Sequence, residues 1–293
     1  MTRILVTGAS GFIGAALVRA LADDGRQVRA AYRAQHAGDH GVAVGDLGAG
    51  ADWSAALDGM DAVVHLASPA HAKHPDAYLR AAIVDATAAL CKQAETAGVR
   101  RFIYMSSIKA AVARTHSAPA RESEAPAPED AYGRAKLEAE AIVLAHGALR
   151  PVVLRPPLVH APDAKANFGA LLRLAASPLP LPLDGLRNRR SLISRDSLIG
   201  AIRAVLAKGD APAGVFHVAD APSLSTGDIV AALRRGFGRA PNLMPAPFAT
   251  LLPRQLTESL EVDAANFSAA YVWVGADTRA ALAATAAAFK AAA

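Results

Sequence analysis

Apolar positions along the first half of the chain come in two rhythms. Short apolar runs recur at Arg3 to Thr7, Gln27 to Tyr32, Val42 to Val44, Ala62 to Leu66, Arg101 to Ser106 and Pro151 to Arg155. Between them lie longer stretches with helical spacing, at Phe12 to Asp24, Trp53 to Leu57, Ala77 to Ala97 and Ala131 to Ala145. Strand and helix taking turns is the pattern of βαβ units, so the expected class is α/β, a doubly wound parallel sheet.

From Arg155 the texture changes. Arg155-Pro156-Pro157 and Ser177-Pro178-Leu179-Pro180-Leu181-Pro182 interrupt the chain too often for a continuous helix or a central strand. Helical spacing returns at Asn167 to Ala176, Arg195 to Leu206 and Thr226 to Arg235, with a strand at Val215 to Val218. The expectation is a sheet domain over residues 1–155 and a smaller lobe over most of 156–293. The strand near 215–218 returns to the sheet, and the lobe lies over the sheet's carboxyl edge, where open α/β sheets bind ligands. The alanine-rich end from Arg279 onward has high helix propensity and few large anchors, which predicts a surface helix that frays. No internal repeat is evident.

Composition narrows the classes. With 293 residues, 53% hydrophobic and 19% charged, the chain can bury a real core and is not disordered. Its one cysteine cannot form an internal disulfide, and no ligand set has zinc spacing, so a reducing cytoplasm is expected and no metal site. No apolar run reaches the length of a membrane span, and the run after Arg3 stops at Thr7-Gly8, too short for a signal core, so the start is expected to belong to the fold. The net charge of +5 comes from 7 Lys and 24 Arg against 26 acids, scattered through apolar segments rather than gathered on one stretch. That scatter argues against a nucleic-acid partner and leaves a few arginines free to grip phosphates.

The first strand runs into Gly8-Ala9-Ser10-Gly11-Phe12-Ile13-Gly14, and a helical pattern follows at once. Glycines at that spacing permit a sharp turn, close approach of backbone to a pyrophosphate, and tight packing of helix on strand; the helix N-terminus then faces the phosphates. At this strand-to-helix junction the motif predicts a dinucleotide site. An acid after the second strand would bond the ribose 2′-OH of NAD, but that place holds Tyr32-Arg33, and the next acid is Asp39. Arg33 suits the 2′-phosphate of NADP, so the reading leans to NADP and keeps NAD open. Asp46-Leu47, ending the third strand, is placed to hold the adenine amino group or to cap a loop.

Tyr132 and Lys136 stand four apart, on one face of the helix predicted over Ala131 to Ala145. An ammonium nearby favours the phenolate of a tyrosine. Such a tyrosine can exchange a proton with an alcohol while a nicotinamide takes or gives hydride. Between glycine loop and tyrosine, the strand end Tyr104-Met105-Ser106-Ser107 offers a hydroxyl on the same sheet edge.

Taken together, Gly8-x-x-Gly11-x-x-Gly14, Asp46-Leu47, His65-Leu66-Ala67, Ser106-Ser107 and Tyr132-x-x-x-Lys136 resemble the extended short-chain dehydrogenase/reductase family. Within it they are most similar to the nucleotide-sugar epimerases and 4-ketoreductases of the NAD-dependent epimerase/dehydratase type. The resemblance covers nearly the whole chain and implies a Rossmann-type sheet with Ser107, Tyr132 and Lys136 as catalytic residues. The implied dinucleotide site comprises Gly8, Ser10, Gly11, Phe12, Ile13, Gly14, Arg33, Asp46, Leu47, Leu66 and Ala67 with Tyr132 and Lys136. The smaller lobe would bind a nucleoside diphosphate sugar, with Asn167 and Arg189 at its diphosphate, and a homodimer would form through the helices at Ala77 to Ala97 and Ala131 to Ala145. The chain departs from the family where Ile83 replaces an Asn that supports the proton relay, where Ala110-Ala111-Val112-Ala113 replaces a polar, Gly-containing stretch, and where His160-Ala161 replaces Tyr-Gly. These departures keep two further readings open: a dinucleotide sensor with weakened chemistry, and a reductase of small ketones or aldehydes.

Overall fold

The computed structural model describes residues 2–34, 41–69, 74–112, 118–210, 212–246 and 249–292. Its strands are β1 (Arg3–Thr7), β2 (Gln27–Tyr32), β3 (Gly41–Ala43), β4 (Ala62–His65), β5 (Arg101–Met105), β6 (Val152–Arg155), β7 (Leu158–His160), β8 (Leu181–Asp184), β9 (Leu192–Ser194), β10 (Gly214–His217) and β11 (Leu243–Pro245). Seven of them form one parallel sheet in the order β10-β6-β5-β4-β1-β2-β3. This is a Rossmann-type α/β architecture. The order reverses between β1 and β4, because the chain winds outward to β3 and then crosses back. The carboxyl ends of β1 and β4 therefore frame a crevice with no helix packed across it, the usual ligand position in open sheets.

The short apolar runs become the middle of the sheet, where every residue of β4, β5 and β6 is buried. Helices cover both faces. α1 (Gly14–Asp23), α7 (Arg195–Ala207) and α10 (Ala265–Tyr271) bury Leu17, Leu21, Ile199, Ile202 and Phe267 on one side. On the other, α2 (Ser54–Leu57), α4 (Ala86–Thr96) and α5 (Ala131–Ala145) bury Leu57, Leu90, Ala139 and Val143. The long helix expected over Ala77 to Ala97 is divided: α3 (Asp76–Leu79) passes through a π-helical turn at Arg80–Asp85 into α4.

The second part of the chain is split. α7 and β10 return to the large sheet, with Arg203 of α7 bonding the Ala20 carbonyl and Asp24 at the end of α1. α6 (Ala166–Ala176), α8 (Thr226–Gly236) and α11 (Thr278–Ala292) pack with β8 around their own core of Phe168, Leu172, Leu183, Ile229 and Leu282. Two parallel strand pairs, β8 with β11 and β7 with β9, complete this part, and the short helix α9 (Arg254–Thr257) precedes α10.

The alanine-rich end differs from expectation. Instead of fraying on the surface, α11 buries Leu282 and Ala286 against α8, and Thr278 at its start is buried too. Small side chains are the reason: Ala283 and Ala286 seat directly on Gly236, so the two backbones approach closely without large anchors. Among the described residues, no helix is long and apolar enough to cross a membrane.

Candidate functional site

A cleft of about 720 Å³ opens at the crevice between β1 and β4. Gly8, Ser10 and Gly11 of the glycine loop line it, with Arg33, Asp46, Leu47, Leu66, Ala67 and Ser68 around the rest. The loop is tight: Gly11 N–H donates to the Gly8 carbonyl at 2.9 Å, and a Cβ at Gly14 would stand 2.1 Å from that same oxygen. Only glycine lets α1 start so close to the loop, and the backbone left bare over the cleft is what a pyrophosphate requires. The residues present therefore fit a dinucleotide.

Not all residues of the loop face the cleft. Ile13 packs into the core beneath α1, and the Phe12 ring lies 4.9 Å from the guanidinium of Arg195, which also bonds the Phe12 carbonyl at 3.2 Å and Asp163 at 2.9 Å. Arg195 thus ties the glycine loop to the segment leading into α6. At the far end of the cleft Arg33 and Asp46, both exposed, form an ion pair at 3.5 Å. The two residues read separately from sequence as adenosine contacts are one charged pair. Asp39 lies outside the described residues.

Beneath the cleft a buried chain of hydrogen bonds fixes a histidine. Thr7 Oγ1 is 2.7 Å from His65 Nδ1 and accepts from the backbone N–H groups of Leu66 and Ala67 at 3.2 Å. His65 Nε2 is 3.2 Å from Thr87 Oγ1, which donates to the Ile83 carbonyl at 2.5 Å. The donors close in one way only: Thr87 spends its proton on Ile83, so Nε2–H donates to Thr87, and Nδ1 accepts from Thr7. Burial pushes this imidazole down to about 3, with the Lys136 charge acting the same way, so it is neutral.

Tyr132 and Lys136 lie in the first turns of α5, capped by Asp130, whose carboxylate accepts from Gly133 N–H at 2.8 Å. A Cβ at Gly133 would stand 2.3 Å from the Lys109 carbonyl, so glycine here brings α5 against the loop that leaves β5 at Ser107. Lys136 is buried; its Nζ donates to the Met105 carbonyl at 2.7 Å and lies 4.7 Å from the Tyr104 ring and 5.8 Å from the Tyr132 ring. Burial lowers this ammonium to about 7, opposed by Glu140. Burial likewise raises the Tyr132 phenol to about 12; the Ser68 hydroxyl pulls the other way and Asp130 adds to the rise. Ser68 sits near enough to act on the phenol without making a hydrogen bond of good geometry. Ser107 accepts from Lys109 N–H at 3.3 Å, opening a short 3₁₀ turn.

One turn beyond Lys136, Glu140 is held by Arg155 through two hydrogen bonds, Nε to Oε1 at 2.9 Å and Nη2 to Oε2 at 2.5 Å, and it accepts from Ser106 Oγ. This buried triad anchors the residue that follows β5 and the last residue of β6 to α5. Sequence reasoning missed it, although Glu140 repeats the Tyr132 and Lys136 spacing on the same helix face.

The candidate substrate residues Asn167 and Arg189 are not among those lining the cleft. Asn167 is exposed in the first turn of α6. Arg189 is exposed and donates to the Ser223 carbonyl at 3.3 Å, whereas its neighbour Arg190 is half-buried and donates to the Glu258 carbonyl at 3.0 Å. Ile83, Ala110, Ala111, Val112 and His160 are all buried. His160 stacks on Phe168 and meets Thr285 of α11 at 3.0 Å, and Ala111 and Val112 join a small core with Leu260 and Val262. The departures thus fall at buried packing positions; Ala113 lies outside the described residues.

The family model described as NAD dependent epimerase/dehydratase family matches residues 4–219. A UDP-glucose 4-epimerase of Vibrio cholerae is 33% identical over 92% of this chain and 90% of its own length. A 2-alkyl-3-oxoalkanoate reductase of Stenotrophomonas maltophilia is 35% identical over 55% of this chain and 52% of its own. Among solved structures, the UDP-N-acetylglucosamine 4-epimerase from Bacillus cereus superposes with a TM-score of 0.84 at 20% identity, covering 99% of this chain and 100% of that one. That likeness shows a shared fold.

Proposed function

The chain belongs to the NAD dependent epimerase/dehydratase family, and from that premise we propose that it is a nucleotide-sugar epimerase or 4-ketoreductase using a nicotinamide dinucleotide. The observation that carries the reading is Ser68: it lines the dinucleotide cleft, and its hydroxyl lies beside the Tyr132 phenol. The glycine loop lines that cleft, and Tyr132 adjoins it through Ser68.

A bound dinucleotide would supply the hydride acceptor or donor at a sugar carbon. The remaining work falls to the chain's own residues. Tyr132, held protonated by burial, is suited to give its proton to a ketone oxygen as that oxygen gains charge, and to take it back in the reverse direction. Lys136 sits against the Tyr132 ring and is fixed by the Met105 carbonyl; Ser107 would bond the reacting oxygen. Gly8, Ser10 and Gly11 would hold the pyrophosphate and Asp46-Leu47 the adenine, while Arg33 would favour NADP over NAD by meeting a 2′-phosphate. Residues 156–293 would mainly form the substrate lobe, with Asn167 and Arg189 toward the diphosphate, and two copies would pair as a dimer through α5 and the helical stretch Ala77 to Ala97 that runs from α3 into α4.

A thermal-shift panel of NAD, NADP, UDP and dTDP tests this, because a ligand that binds only the native state raises its stability. The reading expects one dinucleotide and one nucleoside diphosphate each to raise the melting temperature. A rise with dinucleotide and none with either nucleoside diphosphate would favour a second reading, a reductase of keto compounds without a nucleotide handle, which the similarity to a 2-alkyl-3-oxoalkanoate reductase supports.

A further inference from the structure

Lys109, two residues beyond Ser107, is tied to the Tyr132 region by four separate features. Its Nζ forms an ion pair with Asp130 at 2.9 Å, and lies 5.8 Å from the centroid of the Tyr132 ring, the same distance as Lys136. Its backbone N–H donates to Ser107 Oγ, and its carbonyl is the atom that the bare Cα of Gly133 packs against. Asp130, the partner of Lys109, caps α5 two residues before Tyr132. We propose, resting on the reading of Tyr132 as the acid/base, that Lys109 is a positioning residue: it holds Tyr132 and Ser107 at a fixed separation and offsets the Asp130 charge next to the phenol.

The charges around Tyr132 leave this role to Lys109. Lys136 faces the ring from α5 itself, Asp130 from its cap, Tyr104 from β5 and Ser68 from the loop after β4. Several other charged groups of the elements packed on α5 are engaged elsewhere. Asp76 pairs with Arg134, Arg80 with Glu138, and Glu140 with Arg155, while Asp85 acts on Arg80. Asp130 is thus the carboxylate acting on the phenol, and it raises the phenol's pKa. An exposed ion pair contributes little to stability, about 0–1 kcal/mol, so a purely structural role for Lys109 would be nearly silent.

The test separates turnover from binding in the hydride exchange proposed above. Lys109→Met should lower kcat by roughly threefold to tenfold, the size of one screened charge at this distance, and leave KM and dinucleotide affinity within about twofold. Lys109→Arg, which keeps the charge beside Asp130, should restore kcat. In an Asp130→Asn background, which keeps a capping side chain and removes the charge to be offset, the Lys109→Met change should be nearly silent. An unchanged kcat in Lys109→Met, or a loss that Lys109→Arg does not restore, would overturn the proposal. Loss of the acid/base reading itself would show separately, as undiminished turnover in Tyr132→Phe.

Discussion

Tyr132 carries the chemistry in this account, and its environment sets the direction in which it works best. A phenol near 12 is protonated throughout the neutral range, ready as an acid and reluctant as a base. Tyr132→Phe should lower turnover by roughly 10²–10⁴-fold, the usual contribution of general acid–base catalysis, and leave dinucleotide affinity within about twofold; steady-state kinetics with a parallel binding titration checks both. On the role proposed for Arg33 at the 2′-phosphate, Arg33→Ala should weaken NADP about tenfold or more relative to NAD, which lacks that phosphate. Both candidates could be named from the sequence, Tyr132 by its spacing to Lys136 and Arg33 by its place after β2. Thr7, His65 and Thr87 were not legible as a unit: they lie far apart along the chain, and only the adjacency of β1 and β4 and the π-helical turn brings them together. Glu140 and Arg155 were hidden for a like reason, since their pairing depends on α5 lying against the end of β6.

At the level of elements, the chemistry depends on close approaches that glycine permits. A methyl group at Gly133 would force α5 away from the Lys109 carbonyl and carry Tyr132 with it. Gly133→Ala should therefore cost turnover far more than dinucleotide binding. Gly14→Ala meets the Gly8 carbonyl and should show the reverse order, losing dinucleotide affinity first. Kinetics and binding measured on the two variants separate these outcomes. The βαβ elements were readable because parallel strands need apolar cover on both faces, and α5 falls on the residues expected of it. The fate of α11 was not readable: propensity gives a helix, but the seating of its alanines on Gly236 depends on α8, placed by tertiary packing.

The whole molecule should be sensitive to acid, and the sign follows from its buried histidines. His65 is held near 3 and His160 near 4, against 6.5 for a free imidazole. Below pH 6.5 the unfolded chain takes up protons that the native chain refuses, so stability falls as pH drops toward those native values. Each site contributes on the order of 2–3 kcal/mol of that loss by pH 4.5. Urea unfolding at pH 7 and pH 4.5 should show it, and His65→Gln should be less stable at pH 7 yet lose less on acidification. The central claim is hydride exchange at a carbon of a nucleotide sugar, governed by Tyr132. Proton NMR of UDP-glucose incubated with the protein and nicotinamide dinucleotides in both redox states reads that carbon directly, with UDP-4-keto sugar added in a parallel sample. The account predicts that new sugar-nucleotide signals grow with the natural chain in at least one sample and are absent with Tyr132→Phe. Sugar signals unchanged in both samples, or growing equally with Tyr132→Phe, would contradict it.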